Sequence, residues 1–447
     1  MKTPPDLVNT APVLGAALLA AAVLAAAPAR PVRAPDPPSA ALLALLPDGE
    51  EKRRFVLDCT GCHVFDERLV LPGGQPRSAA DWASAVRRML EFAGPESGFP
   101  VIAAGRDPES TAAFLTAALY AGDTLRSVPS RPLPAAGTIT EYDLPEARDL
   151  PHDLALLEDG RVLITGMFTH RMYLLDPEDR AIETIPIPVR NANPRAVELD
   201  AEGDWWVVLG GPHQLAEYDV RAQRWHTHDV GVYPHSLAVG KDGRVWYNGH
   251  FTRAPQVLGA VDPAAGDVSV LEVPAHPEAG RGAGPIPYEL RAAPDGSIWG
   301  SELVGNRIYR YEPDSRSFTT YDMPVAHSGP RRLDVAPDGS VWIPEFAAGA
   351  LVRLDPAAGT FERFPLPVPD AAPYVARLDP RSGDVWVGTG AADAVFRFRP
   401  ATGTFDAYPL PTRGALVRHL VVAPAGDVWL AYGASPGGPA RIARLRP

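Results

Sequence analysis

Cysteine is almost absent from this chain. Two occur in 447 residues, at 59 and 62, so a disulfide framework or a four-thiolate zinc site cannot be built from them. An excess of positive charge is missing too: at a formal −12, the chain as a whole is no nucleic-acid binder. No apolar run reaches the ~20 residues that a membrane-spanning helix needs. Tracts of biased composition are lacking outside two linkers. Fifty prolines and forty glycines are spread through the chain, which points to many turns and short strands.

What is present divides the chain. A prior of ~100–200 residues per domain predicts two to four units. Residues 1–29 read as an export signal: Lys2 gives a positive start, Val13 to Ala27 is an unbroken Ala/Leu/Val/Gly run, and Ala25-Ala26-Ala27 or Ala27-Pro28-Ala29 offers small residues for cleavage. An uncleaved N-terminal anchor is the alternative, and only in that case is a membrane a partner. Either way the remainder is expected outside the cytoplasm, in the periplasm. Residues 30–39 form a Pro-rich linker.

Both cysteines lie in Cys59-Thr-Gly-Cys62-His63. The form C-x-x-C-H is the attachment signature of c-type haem: the thiols add to the vinyl groups, and the imidazole becomes the proximal iron ligand. A zinc site would need two further ligands, and Pro28 to Leu150 holds no other Cys or His. A thioredoxin-like redox pair would not need the histidine. Haem attachment takes place outside the cytoplasm, so motif and export signal support each other. Iron at this point makes the chain a candidate electron-transfer protein.

Residues 40–126 are expected to be a small all-α unit around that group. Helical spacing covers Glu50 to Val64, a second helix starts near Ser78 and runs through Val86, Met89 and Leu90 to Phe92, and a third spans Glu109 to Leu119. The unit contains one histidine, His63, and one methionine, Met89, so elimination makes Met89 the candidate sixth iron ligand; a core-filling Met89 and five-coordinate iron is the alternative. Phe55-x-x-x-Cys-x-x-Cys-His, then Trp82, Val86 and Met89, then a last helix ending near Tyr120, resembles the small cytochrome c domains found alone or fused to periplasmic modules. The resemblance covers about a fifth of the chain.

Residues 127–136 are a second linker, and after it an internal repeat takes over. The copies open at Pro151, Pro194, Pro234, Pro287, Pro330, Pro373 and, degenerately, Val417. Each continues to a turn such as Asp159-Gly160, Asp242-Gly243 or Asp338-Gly339, a strong two-residue hairpin signal. Trp206, Trp246, Trp299, Trp342, Trp386 and Trp429 then occupy one register, with Leu163 in the first copy. Six of nine tryptophans in one position is packing. Copies of ~40–45 residues with four strand-like runs are propeller arithmetic. The fold class expected is therefore an all-β seven-bladed β-propeller over 137–447, preceded by the small all-α cytochrome c domain. The last copy lacks an outer strand, and Thr138 to Pro145 is an orphan outer strand that would close it. Pro274 to Pro285 is a loop insertion.

The residue after each opening forms a ring: His152, Arg195, His235, Tyr288, Arg331, Tyr374 and Arg418. None is aliphatic, so these seven mark the central mouth as a candidate site; polar lining of a wet channel is the plain alternative. His170, His213, His250, Asn306, Glu302 and Glu345 fall in or beside the connections of second to third strands. Among all of these, His152, His235, Arg331, Glu302 and Glu345 are the catalytic candidates, as acids, bases or ligands of a divalent magnesium or calcium ion. Three arginines favour a small anionic ligand.

Pro234-His-Ser-Leu-Ala-Val-Gly-Lys-Asp-Gly-Arg-Val-Trp246 and Pro294-Asp-Gly-Ser-Ile-Trp-Gly-Ser-Glu-Leu-Val-Gly-Asn-Arg-Ile308 resemble the streptogramin lyase (virginiamycin B lyase) family of seven-bladed propellers. That resemblance implies a magnesium ion and His/Glu pairs at the mouth, cleaving a lactone ester by elimination. The sequence departs from the family pattern at Val417-Arg418-His419-Leu420, at Tyr432, and at Arg331 and Tyr374 in the histidine position. Three functional readings result. In the first, an exported haem protein binds or oxidises a small anion and exchanges electrons with a periplasmic donor or acceptor, as a cytochrome-linked oxidoreductase would. In the second, the propeller is a non-catalytic docking module carrying a redox haem. The third is a magnesium-dependent carbon–oxygen lyase.

Overall fold

The computed structural model describes residues 39–102, 105–121, 133, 136–251, 255–277, 284–433 and 440–447. The export signal and almost all of both linkers lie outside the described residues, as does the middle of the 274–285 insertion. Among the described residues no helix is long and apolar enough to cross a membrane.

Each copy of the repeat folds as a four-stranded antiparallel sheet, and seven such sheets are formed by strands β1 to β28 in chain order. The innermost strands are β2 (Pro151–Leu156), β6 (Pro194–Leu199), β10 (Pro234–Val239), β14 (Pro287–Ala292), β18 (Asp334–Val335), β22 (Pro373–Leu378) and β26 (Val417–Val422). The orphan strand closes the ring as expected: β1 (Thr138–Asp143) pairs with β28 (Arg441–Arg446), Thr138 opposite Arg446 and Asp143 opposite Arg441. Pairing first with last removes the free edge that an open seventh sheet would present.

The hairpin turns are one residue longer than the two-residue form expected from Asp-Gly. Leu157 N–H donates to Arg161 O while Gly160 N–H donates back to Leu157 O, and Asp200 to Asp204 and Gly240 to Arg244 repeat the pattern. This is a turn closed by a left-handed glycine. The glycines accordingly have φ from 74° at Gly383 to 101° at Gly426, which a side chain would strain.

The tryptophan register is the cement between sheets. Trp206 packs with Val245 and Tyr247 of the next sheet, Trp246 with Leu290 and Ile298, and Trp299 with Leu333 and Val341. The last, Trp429, packs with Leu154 and Val162 of the first sheet. Leu163 leaves its interface open to Trp205 of the second sheet.

The helical segment differs in detail from expectation. Helices α1 (Ser39–Leu43), α2 (Glu50–Cys59), α3 (Glu67–Val70), α4 (Ala79–Ala93) and α5 (Pro108–Leu119) make five rather than three. The helix α2 stops at Cys59 and not at Val64, leaving Gly61 to His63 in a turn. Ser78 begins α4 with a reciprocal cap: its Oγ accepts from Asp81 N–H at 3.1 Å, and Asp81 accepts from Ser78 N–H at 3.2 Å. Tyr120 ties the segment together, its hydroxyl donating to Val70 O and accepting from Trp82 Nε1 and Arg77 N.

These helices pack directly on the propeller. Leu42, Leu43, Phe55, Leu57 and Val64 share one core with Ile286, Tyr288, Leu303, Phe346, Tyr374 and Leu416. Ala40 N–H donates to Ala391 O at 2.8 Å, and Lys52 Nζ meets Asp370 at 2.7 Å. Gly329, at φ 68°, has no room for a side chain beneath Leu57. The contacted residues open the inner strands or join second to third strands, so the helices cover the mouth.

Candidate functional site

The ring positions converge. His152, Arg195, His235, Tyr288, Arg331, Tyr374 and Arg418 are all buried, none more than 5 % exposed. The imidazoles of His152 and His235 meet edge to face at 5.5 Å, and His235 stacks on His250 at 4.1 Å. Tyr288 and Tyr374 touch hydroxyl to hydroxyl. The Arg331 guanidinium lies among three rings, 3.9 Å from the Phe346 centroid, 4.4 Å from Tyr374 and 4.9 Å from Tyr288, and donates to Tyr288 Oη at 2.8 Å.

The mouth is therefore covered rather than open at this end. Burial holds His152 and His250 down at about 3 and His235 well below the ordinary histidine range; Arg195 adds to this at His250, His250 adds to it at His235, and at His152 burial prevails although the bond to Asp153 works the other way. The imidazoles are neutral at physiological pH. Burial works against the Tyr374 phenolate too, but Arg331 and Arg418 outweigh it and lower its pKa. Tyr288 is raised by burial, so any phenolate in the pair belongs to Tyr374.

Below the ring lies a layer that the opening-residue pattern missed. Arg332 donates to both Asp153 oxygens, at 2.8 and 2.6 Å, and Arg377 donates to Glu289 at 2.6 Å. Arg377 also touches His419 at 3.3 Å, and His419 stands 3.6 Å from Asp153. Burial opposes the Asp153 anion, yet Arg332 and then His419 outweigh it and hold the carboxyl well below its usual range. In blade after blade the pairing register shifts just after the opening proline, between Pro151 and Leu154, Pro234 and Leu237, and Pro287 and Leu290. That irregularity breaks strict alternation.

The outlying candidates are not gathered at the ring, His250 excepted. Glu302 is fully buried and gripped twice by Arg307, at 2.6 Å each, and Glu345 accepts from Arg363 at 2.7 Å. Burial raises both carboxyls. His170 accepts from Asn193 N–H, and Asn306 caps a turn through Ser328 and Gly329; His170, His213 and Asn306 all sit at positive φ. Among the described residues no three His, Cys, Asp or Glu side chains converge as a cation site.

The Cys59–His63 turn lies against this ring. Arg418 donates to Gly61 O at 3.3 Å and to Cys62 O at 3.0 Å, and a Cβ on Gly61 would collide with Arg331 Nη2. Both cysteines are free, Cys59 half-buried and Cys62 exposed. Burial pushes the Cys59 thiol up to about 12, the opposite of what a redox pair requires. His63 Nδ1 lies 3.2 Å from Val64 O; donating there leaves Nε2 free to bind a metal, the arrangement that metal-ligating imidazoles adopt. Met89 is 39 % exposed, on the same stripe of α4 as buried Trp82 and Val86. Neither Arg331 nor Arg418 pairs with a carboxylate among the described residues, and the Nε of each is buried without a hydrogen-bond partner. Buried guanidiniums without anions are costly; here Arg418 is met by the carbonyls of Gly61 and Cys62, and Arg331 by the faces of Tyr288, Phe346 and Tyr374.

The description Virginiamycin B lyase family matches residues 273–442. In architecture the chain is similar to virginiamycin B lyase from Staphylococcus aureus, with a TM-score of 0.62 at 18% identity over 70% of this chain and 100% of that one. A streptogramin B lyase structure gives 0.61 at 19% identity, covering 69% and 98%. Kuenenia stuttgartiensis hydrazine synthase gives 0.53 at 15%, covering 64% and 94%. Among curated protein sequences none matches significantly. These identities speak for the fold.

Proposed function

We propose that this virginiamycin B lyase-like seven-bladed propeller belongs to an exported electron-transfer protein, with haem c carried by the Cys59–His63 turn of the helical segment that covers the mouth. The observation that carries the reading is the Cys59–His63 turn lying against the buried, anion-free guanidiniums of Arg331 and Arg418. When bound, haem supplies one-electron exchange between ferric and ferrous iron.

The chain's own residues do the rest. Cys59 and Cys62 anchor, and His63 binds through Nε2 while Nδ1 is steadied by Val64 O. Arg331 and Arg418 would place positive charge beside the turn that carries the group. Phe55, Phe65 and Trp82 exclude water on the helical side, and Tyr288, Phe346 and Tyr374 do so on the propeller side. Tyr374 holds a proton whose affinity the arginines lower. Cys62 is exposed, leaving one edge open to a periplasmic donor or acceptor.

The test is a haem stain on a denaturing gel, run on protein exported from cells competent in cytochrome maturation. A coloured band at the full-length mass is expected, and a colourless one ends the reading. Met89 would serve as the second protein ligand to the iron in this scheme. Met89→Ala should abolish the long-wavelength band that thioether ligation gives ferric iron; a band that survives reassigns Met89 to the surface of α4.

The match over 273–442 favours a carbon–oxygen lyase as the second reading. Glu302 and Glu345, however, are tied to Arg307 and Arg363. Opening of a streptogramin lactone by the purified chain, stimulated by magnesium, would raise that reading above the first.

A further inference from the structure

The helical segment meets the mouth unevenly. Its core is shared with the fourth to seventh blades, through Ile286, Leu303, Phe346 and Leu416, and its Cys59–His63 turn reaches Arg331 and Arg418. Over the second and third blades the cover is a set of rings instead. Phe99 packs against Phe251 at 5.0 Å, and Phe251 against Tyr233 at 4.8 Å and His250 at 4.5 Å. Phe99, Tyr233 and Phe251 are all half-buried, so this sector is roofed by side chains that reach the surface.

Arg195 lies under that roof. It is 4 % exposed, with its guanidinium 6.0 Å from the Phe99 centroid and 5.2 Å from Tyr233. No carboxylate pairs with it among the described residues, and its one hydrogen bond there runs from Nε to the neutral Asn193 amide oxygen at 3.4 Å. Nη1 and Nη2 donate to nothing among those residues, and unlike Nε of Arg331 and Arg418 they are not sealed off. The charge of Arg195 is felt at His235 and His250. His235 Nδ1 donates to Tyr288 O at 2.8 Å and His250 Nδ1 to Pro287 O at 2.7 Å. With Nδ1 spent on the wall, Nε2 of each neutral imidazole is an acceptor turned away from it, likewise unpaired and unsealed. Charge around the channel is positive on balance. Below the ring, Arg332, Arg377 and Arg291 already answer Asp153, Glu289, Glu198 and Asp334. The ring adds three guanidiniums and no carboxylate, so six stand against four.

We propose that this sector of the mouth binds a small 2-hydroxycarboxylate, its carboxylate on the Nη1 and Nη2 edge of Arg195 and its hydroxyl donating to Nε2 of His250. Each part follows from what is left unpaired. A buried guanidinium without an anion is costly, and its planar fork takes a carboxylate through two parallel bonds. The acceptor beside it calls for a ligand hydroxyl, which a simple carboxylate lacks. An amino acid also carries a donor, but its ammonium would bring more positive charge into a sector that already has an excess. The site stands apart from the haem reading: no hydrogen bond joins Arg195 to the Cys59–His63 turn among the described residues, and binding is expected with or without haem attached.

The experiment titrates glycolate, acetate, glycine and ethylene glycol calorimetrically into the full-length exported protein. Glycolate should bind most tightly, acetate about 3- to 10-fold more weakly for want of one neutral hydrogen bond, and ethylene glycol not at all. Arg195→Met should weaken glycolate by about 10-fold or more, the loss of a charge-assisted contact. Its melting temperature should match or exceed the parent's, because an unanswered buried charge has been removed. Arg195→Lys keeps the charge without the fork and should retain part of the affinity; it serves if the methionine variant fails to fold. His250→Phe should bring glycolate down to the level of acetate and leave acetate where it was. No binding of glycolate, acetate or glycine binding as tightly, a preference for glycolate that survives His250→Phe, or binding indifferent to the Arg195 substitutions overturns the proposal.

Discussion

Replacing Arg332 with methionine should destabilise the protein by about 3–5 kcal/mol, the range for breaking a buried ion pair by removing one partner. Methionine keeps much of the volume, so the loss is electrostatic. Asp153 would keep its charge in a site 3 % exposed, with both guanidinium bonds gone. Glu289 would lose its second cation. One escape limits the cost: His152 Nδ1 lies 2.7 Å from Asp153, and His419 Nε2 lies 3.6 Å away. With Arg332 removed, both imidazoles gain affinity for a proton.

The effect of pH has a definite sign. In the parent, Asp153 sits well below the ordinary carboxylate value, so its contribution is present at neutral pH and is lost only as pH falls through that lowered value. In Arg332→Met, burial dominates and the carboxyl rises above its ordinary ~3.9. The penalty then grows as pH rises past about 4 and shrinks in acid. Urea unfolding followed by tryptophan fluorescence should show the widest gap between the two proteins near neutrality, a smaller one at pH ~4, and closure only in stronger acid, where Asp153 is protonated in the parent too. A gap independent of pH would mean that Arg332 acts through packing alone.

What the sequence discloses and what it withholds follow from how local each demand is. The seven blades are legible because Gly160, Gly243 and their equivalents need a left-handed backbone, and because one tryptophan per copy must fill the wedge between sheets. The closing strand is legible because Thr138 to Asp143 carries the text of an outer strand with no inner ones before it. The ring is legible because each opening proline flags the position after it.

Arg332, Asp153, Glu289 and Arg377 are a different case. Strict alternation would turn residues next to the ring toward a neighbouring sheet, and the register shift after the opening proline is what brings them to the channel. In the fifth blade the strand is distorted further, with Arg332 N–H donating to Tyr374 O of the sixth. Opposite charges at matching positions of different copies were the available signal. The partners of Glu302 and Glu345 depend on cross-strand register, Glu302 lying directly opposite Arg307. Where the helices sit depends on complementarity between distant surfaces, and a Pro-rich linker says only how far they can reach.

Where the helices sit is also what makes the second large effect measurable. On the haem reading proposed above, neutralising Arg331 and Arg418 together, as methionines, should lower the midpoint potential of haem attached at Cys59 and Cys62 by about 60 mV or more, a tenfold change in a one-electron equilibrium. The sign comes from charge: cations beside the haem favour the form with the extra electron, and a buried site screens them poorly. Two arginines are involved, both buried and neither answered by a carboxylate among the described residues, so the change should exceed that from any exposed arginine, such as Arg88. Arg331→Lys should recover part of the shift, since it keeps the charge but loses the planar face that lies against Phe346 and Tyr374. The double variant should also relieve Tyr374, whose phenol is held down by those same two guanidiniums. Its ultraviolet ionisation would then move to higher pH, a readout that needs no haem at all. If the potential stays where it was while the Tyr374 titration moves, the arginines serve the phenol pair alone, and the haem is bound away from the mouth.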